Sequence, residues 1–103
     1  MAVSNIPIDN SAIRRQGTVA AGINWHRRGN VVMVFISNVA ISDTSAATLL
    51  GQMPSDLKPP LSVYSSGFTA GAVSYGLVVS NGNVYGYRQT AGNINVTIVY
   101  GVI

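Results

Sequence analysis

A strict two-residue alternation near the end of the chain constrains the fold more than any other sequence feature. From residue 94 onwards apolar side chains occupy every second position, namely Ile94, Val96, Ile98, Tyr100 and Val102. This period is that of a β-strand with one buried face. Similar segments precede it, separated by the Gly, Asn and Pro clusters that are typical of turns. The sequence therefore predicts an all-β domain whose last strand is paired within a sheet.

The other predicted strands follow one another at short intervals. They cover residues 17–25, 31–41, 61–68, 72–80 and 84–89. Gly29-Asn30 and Asn81-Gly82 supply the turns of two hairpins, because Gly and Asn tolerate positive φ. The segment 31–41 begins with apolar residues on both faces, which predicts an inner strand covered on both sides. We expect about six to seven strands in a compact antiparallel β-barrel or sandwich.

Three segments differ from this pattern. Residues 42–50 have the most helix-like character, with Asp43 or Thr44 as the N-cap and Gly51 as the stop, and they predict about one or two helical turns at most. Residues 51–60 contain three prolines, which predicts an ordered crossover loop. Residues 1–16 are polar and form an arm, a linker remnant or an extra edge strand ahead of a β-barrel head domain over residues 17–103.

Composition narrows the class of protein further. The chain has no cysteine, which excludes a disulfide framework and any thiolate zinc site. No apolar run approaches the ~20 residues of a membrane span, so we expect no membrane insertion. The six Lys and Arg residues are spread over the sequence and do not form a dense basic run, which argues against nucleic-acid binding.

The low charge points to self-association. Hydrophobic residues make up 48% of the chain and charged residues only 9%. Such a composition leaves more apolar surface than one small core can hide, and symmetric homo-oligomers are the usual outcome. The many neutral hydroxyls and amides also suit a surface that accepts either a neutral polar ligand, such as a sugar, or another copy of the chain.

Catalysis is not expected. The chain has three carboxylate side chains, Asp9, Asp43 and Asp56, and no glutamate. Glycoside hydrolysis needs two carboxyl groups about 5–10 Å apart, and Asp43 and Asp56 lie in loop contexts where Asp commonly accepts backbone hydrogen bonds. A single histidine, His26, makes a poor metal site, and no nucleophile-elbow motif accompanies it. We therefore expect neither enzymatic activity nor a cofactor.

The order of these features resembles a known family. The loop Leu50-Gly-Gln-Met-Pro-Ser-Asp-Leu-Lys-Pro-Pro60 follows the first hairpin and precedes a small-residue strand, the Asn81-Gly82 hairpin and the final strand. Over roughly residues 18–103 this order resembles the C-terminal head domain of receptor-binding proteins from tailed bacteriophages of Gram-positive hosts. The loop resembles the leucine-proline-x-glycine-x-x-proline loop of those heads, although Ser55 and Leu57 stand where glycine and an aromatic residue or arginine are expected.

The resemblance implies a homotrimer at the tail tip or baseplate of a virion, assembled in the host cytoplasm. It implies heads that bind host cell-wall saccharides without chemistry and that join other tail proteins through their N-terminal side. Because residues 1–16 are shorter than the shoulder and neck of such proteins, the chain is expected to be an excised head. The alternative is a structural virion module that trimerises and has no ligand of its own.

Saccharide binding needs an aromatic face beside planar polar groups. Those residue types supply the candidate ligand contacts, which are Trp25, His26, Asp43, Tyr85, Tyr87 and Arg88. Tyr85 and Tyr87 fall on one face of a predicted strand and Arg88 on the other, where Gly86 leaves a flat spot for a ligand or a backbone.

Each candidate has a structural alternative. Trp25 is in phase with Ile23, so it is equally suited to core packing. A lone His26 is commonly structural or exposed, and tyrosines on strands are commonly half-buried. Asp43 is equally placed to cap a helical turn.

Overall fold

The computed structural model describes residues 14–67 and 72–102, and these residues form eight β-strands. The strands are β1 (Arg14–Ala20), β2 (Ile23–Arg28), β3 (Val31–Ile41), β4 (Thr48–Gln52), β5 (Val63–Ser66), β6 (Ser74–Val78), β7 (Asn83–Arg88) and β8 (Gly92–Gly101). A single 3-10 turn, Ser55–Leu57, lies between β4 and β5. No helix in the described part of the chain is long and apolar enough to cross a membrane. The predicted all-β class is confirmed.

The strands form two antiparallel sheets that enclose one core. Sheet A has the order β1-β2-β3-β8, and sheet B has the order β4-β7-β6-β5. The final strand pairs with β3 along its length, as its alternation predicts. The core contains buried side chains from both sheets, among them Ile23, Trp25, Val34, Ile36, Val78, Val84, Ile94 and Ile98.

The first hairpin differs from the sequence prediction. Residues 17–25 do not form one strand, because the chain turns at Ala21-Gly22 and β2 then runs back along β1. Gly22 has a φ of 79°, a left-handed conformation that glycine adopts without strain, and its carbonyl accepts a hydrogen bond from the Ser37 N–H at 2.8 Å. The described strand β1 begins at Arg14, so the boundary predicted after residue 16 falls inside a strand. Residues 1–13 of the predicted arm lie outside the described residues.

Strand β3 has the predicted bounds but only one buried face. Val32, Val34 and Ile36 face the core, whereas Val31 on the other face is exposed. A β-bulge at Asn38, with φ 57°, then changes the phase, so that Ile41 also faces the core. The Asn95 side chain accepts a hydrogen bond from the Asn38 N–H at 2.9 Å and supports the bulge.

The predicted helical turns over residues 42–50 are absent. This segment is a loop followed by β4, which pairs with β7. Leu49 gains the cross-strand partner Tyr85 there and Leu50 packs against the core, which outweighs the weak helix propensity of a Ser- and Thr-rich segment. The crossover loop predicted over residues 51–60 is confirmed from residue 53 onwards, whereas Gly51 and Gln52 belong to β4. Of the strand predicted over residues 61–68, β5 covers Val63–Ser66, and Phe68 lies outside the described residues.

Two paired glycines on the inner face of sheet B accept the large side chains of sheet A. Gly76 and Gly86 lie opposite each other on β6 and β7. A Cβ atom at Gly76 would lie 3.0 Å from the Ile36 and Ile98 Cδ1 atoms, and one at Gly86 would lie 2.7 Å from the Ile94 Cδ1 atom. The glycines therefore leave the volume that these isoleucines fill.

Gly86→Ala is expected to lower the free energy of unfolding by about 1–3 kcal/mol, because the added methyl overfills the core. Gly101→Ala is the matched control, since a Cβ there meets its nearest atom, the Asn30 carbonyl oxygen, at 3.7 Å. Urea unfolding of both variants measures the difference. Equal stability of the two variants would show that the packing at Gly86 is loose.

Tyr100 joins the last strand to the crossover loop. Its ring is buried, and its hydroxyl donates a hydrogen bond to the Leu57 carbonyl in the 3-10 turn. Burial raises the pKa of Tyr100 to about 12, because the buried site disfavours the charged phenolate.

This raised pKa predicts a loss of stability in alkaline solution. The unfolded chain releases the Tyr100 proton near pH 10 and the folded chain only near pH 12, so the contribution is complete below pH 10 and is lost as the pH rises to about 12. We expect a loss of at most about 2–3 kcal/mol over this interval. Urea unfolding at several pH values checks it, with Tyr100→Phe as the variant without the titrating group. Parallel pH profiles of the two proteins would contradict the assignment.

Candidate functional site

The outer face of sheet B carries two adjacent rows of aromatic and apolar side chains. One row crosses all four strands through the register pairs Leu49–Tyr85, Tyr85–Leu77 and Leu77–Tyr64. The next row contains Tyr87 and Tyr75, which are also register partners. We call these two rows the tyrosine surface (Leu49, Tyr64, Tyr75, Leu77, Tyr85 and Tyr87).

The two rings at the centre of this surface hold each other in place. Tyr75 and Tyr87 stack with ring centroids 5.1 Å apart and an interplanar angle of 27°. The Tyr87 hydroxyl also donates a hydrogen bond to the Thr44 carbonyl at 3.2 Å, which anchors the ring to the loop after β3. Aromatic rings fixed in this way present a large contact area and lose little conformational entropy when a ligand binds.

A groove of about 320 Å³ lies at the β5–β6 side of the tyrosine surface. Tyr64, Tyr75 and Leu77 form much of its wall, and Ser66, Val73 and Ser74 complete it. Tyr64 is 74% exposed, so one side of the groove carries an aromatic residue open to solvent. The groove is shallow and apolar and has hydroxyl groups at its margin.

The tyrosine surface is electrically neutral. None of its six side chains carries a charge at neutral pH, and Asn83 at its margin donates a hydrogen bond from its side-chain amide to the Tyr85 hydroxyl at 3.4 Å. Tyrosine hydroxyls and amides both donate and accept hydrogen bonds. This combination suits a neutral ligand that has an apolar face and many hydroxyls.

Two of the candidate residues lie in the tyrosine surface, namely Tyr85 and Tyr87, which share a face as predicted. Sequence reasoning missed Tyr64, Tyr75 and Leu77 as site residues. The alternation Val73-Tyr75-Leu77 was visible, but the small residues Ser74 and Gly76 face the core in place of the large ones. The Tyr-x-Tyr spacing of β7 was the sequence signal for an aromatic surface on one face of this strand. Tyr75 on the preceding strand extends that surface, because it is the register partner of Tyr87.

Trp25 and His26 lie on sheet A, away from the tyrosine surface. Trp25 is 6% exposed and packs in the core, which is its structural alternative. The Arg15 guanidinium lies over its ring, 5.6 Å from the ring centroid. His26 is on the outer face of the same sheet, where its ring meets Phe35 edge-on at 5.3 Å between centroids.

Asp43 is held by its own loop. Its carboxylate accepts hydrogen bonds from the Ser45 hydroxyl at 2.7 Å and from the Ser45 N–H at 2.9 Å. These hydrogen bonds lower the pKa of Asp43 from its ordinary value. The Arg15 guanidinium similarly lowers the pKa of Asp56, with which it forms an ion pair. Within residues 14–67 and 72–102, no group of three or more His, Asp or Glu residues is placed to hold a metal ion.

Arg88 and Gly86 lie on the face of β7 that is turned towards the core. The Arg88 guanidinium donates hydrogen bonds to the Thr90 and Ala91 carbonyls at 2.7 and 2.9 Å, and so it holds the turn between β7 and β8. The flat spot predicted at Gly86 is not available to a ligand, because Ile94, Leu50 and Ile41 fill it. Of the six candidates, two lie on sheet A, three lie on sheet B and Asp43 lies in the loop after β3, so they do not form one cluster.

Comparisons with known proteins add no relative. No protein-family model matches the chain, and no curated protein matches it significantly.

Substitutions at Trp25 and His26 are expected to distinguish a core side chain from a surface side chain by their effect on stability. Trp25→Ala removes a buried ring and is expected to cost about 3–5 kcal/mol of unfolding free energy. His26→Ala changes a partly exposed ring and is expected to cost less than about 1 kcal/mol. Urea unfolding followed by circular dichroism measures both. A Trp25→Ala protein as stable as His26→Ala would contradict the core assignment.

Proposed function

We propose that this protein is a non-catalytic saccharide-binding module and that the tyrosine surface of sheet B is its binding site. The observation that carries the proposal is the pair of adjacent, outward-facing rows that hold four tyrosines and no charged side chain. Pyranose rings present C–H groups that pack against aromatic faces, and their hydroxyls pair with neutral donors and acceptors such as those at the margin of this surface.

The contacts of the carboxylates support a role without catalysis. Asp43 is bonded to Ser45, and Asp56 is paired with Arg15. Both groups are thus engaged in structural contacts and lie outside the tyrosine surface. A binding module needs no acid–base pair, whereas a glycosidase needs two carboxyl groups that face the scissile bond.

In the biological setting that the sequence resemblance implies, the module is the head of a phage tail adhesin. It forms a homotrimer at the tail tip or baseplate of a virion and attaches it to the cell-wall saccharide of a Gram-positive host. The two-sheet, all-β architecture agrees with such a head. A barrel-like closure of the two sheets belongs to the same proposal.

A stripe on sheet A supports the proposed trimer. Val31, Met33 and Phe35 alternate on the outer face of β3, and Met33 is the register partner of Val99 on β8. Val31 and Val99 are exposed, so a second copy of the chain would remove apolar surface from water there. This stripe equally favours the alternative, a structural tail module that trimerises without a ligand.

Calorimetric titration with purified cell-wall polysaccharides of Gram-positive bacteria tests the proposal. The wild-type protein is expected to bind, and Tyr75→Ala and Tyr87→Ala are each expected to weaken binding about fivefold to tenfold through loss of the stacked ring pair. Ser55→Ala, at an exposed position in the crossover loop, is the control and is expected to bind as the wild type does.

Light scattering on the same preparation gives the oligomeric state, which the proposal expects to be three chains of 10.8 kDa each. A folded trimer that binds no saccharide would favour the structural alternative. Binding that survives both tyrosine substitutions would place the saccharide elsewhere on the molecule.

A further inference from the structure

Strands β1 and β2 gather four arginines that are spread over the sequence. Arg14 is the register partner of Arg28, and Arg15 is the register partner of Arg27. Like charges that face each other across two strands destabilise a sheet. Successive positions on a strand point to opposite faces, so Arg14 and Arg28 lie on the outer face of the sheet, whereas Arg15 and Arg27 lie on the same face as Trp25. A bound anion would relieve the repulsion of the outer pair. We call this cluster the arginine end.

Only part of this charge is neutralised by the described residues. Arg15 pairs with Asp56, and the Arg27 Nε–H donates to the Gly29 carbonyl at 2.8 Å. Among residues 14–67 and 72–102, no carboxylate forms an ion pair with Arg14 or Arg28. On the outer face, Arg14 and Arg28 therefore leave a local charge of +2.

The arginine end has the shape of a site. A groove of about 270 Å³ there is lined by the four arginines together with Gln16 and His26, and the side chains of Arg14 and Arg28 share the outer face with His26. A second groove of about 340 Å³ shares Gln16 and His26 and continues along the outer face of β1 and β2 past Thr18 and Asn24. The positively charged groove thus continues into a second groove whose floor is lined by hydrogen-bonding side chains.

We propose that the arginine end binds the phosphate group of a ligand whose neutral part lies along this floor. Guanidinium groups match the oxygens of a phosphate in a bidentate geometry, and a doubly charged oxyanion balances more of the local charge than a carboxylate does. Gln16 and His26 contribute hydrogen-bonding groups beside the arginines. The site lies on sheet A, so it does not depend on the tyrosine surface of sheet B.

The rings near the arginine end favour a small phosphate ester over a nucleic acid. Single strands bind where bases stack on exposed aromatic rings. Trp25 is buried beneath Arg15, and Phe35 packs against the edge of His26. Among the residues that line the two grooves, His26 alone has a ring, so successive bases have no stacking platform.

Calorimetric titration of the full chain with glycerol 3-phosphate at constant ionic strength tests the inference. The wild-type protein is expected to bind it and not glycerol. Arg28→Gln is expected to raise the Kd about tenfold, because it removes a charge-assisted contact. It is also expected to raise the melting temperature in chloride buffer, because it removes a like-charge pair.

Lys58→Gln is the matched control, since it removes one positive charge at the β6–β7 turn, where the Lys58 side chain packs on Gly82. It is expected to leave the Kd unchanged. Equal loss in both variants would overturn the proposal, because the effect would then be one of net charge. Absence of binding by the wild type, or undiminished binding by Arg28→Gln, would overturn it as well.

Two further titrations distinguish other occupants. An oligothymidylate that binds more than about tenfold tighter than glycerol 3-phosphate, with a steep salt dependence, would assign the groove to nucleic acid and overturn the proposal. Asp9, the one other carboxylate side chain, lies outside the described residues, so Asp9→Asn is titrated too. Phosphate binding that occurs only in Asp9→Asn would show that Asp9 occupies the site in the wild type, and it would overturn the proposal of an external phosphate ligand.

Discussion

The insertion of sheet A isoleucines against the glycine pair of sheet B organises this molecule. Gly76 and Gly86 face each other at the centre of sheet B, and Ile36, Ile94 and Ile98 reach into the volume they leave. At this point the side chains that fill the core come from sheet A. Because β6 and β7 turn Gly76 and Gly86 towards the core, the alternation of these strands places their tyrosines on the outer face. The packing of the core and the chemistry of the tyrosine surface follow from the same alternation.

Bulges keep the apolar residues of the longer strands in phase with that core. Asn38 inserts one residue into β3, so that apolar residues before and after it both point inward. Register shifts in β1 and β4, at the neighbouring edges of the two sheets, include Val19 and Leu50 as the extra residues. Both side chains pack against the core, and irregular edges of this kind also discourage edge-to-edge aggregation.

The sequence was sufficient to predict the class of the fold and most of its strands, because alternation and turn residues are local signals. The hairpin at Asn81-Gly82, the bounds of β3 and the pairing of the last strand could all be predicted in this way. Which face of an alternating strand is turned towards the core is not determined by local sequence. The large residues Tyr75 and Leu77 looked like a core face, and only the isoleucines of the opposite sheet make Gly76 the inner residue. The clustering of the arginines could not be predicted either, because Arg14 and Arg28 become neighbours only through the strand register.

The two surfaces differ in a way that bears on how tightly each can bind. The tyrosine surface is open and shallow, and a single sugar site of that kind typically reaches only a Kd on the order of mM, or about −4 kcal/mol. Several copies on one assembly raise the avidity by roughly 10²–10⁴ without any new contact, so the proposed saccharide binding gains its strength from the proposed trimer. The arginine end is different, because its repulsion is already present in the free protein. A bound phosphate relieves that repulsion as well as forming its own contacts, so this site needs fewer copies to hold its ligand.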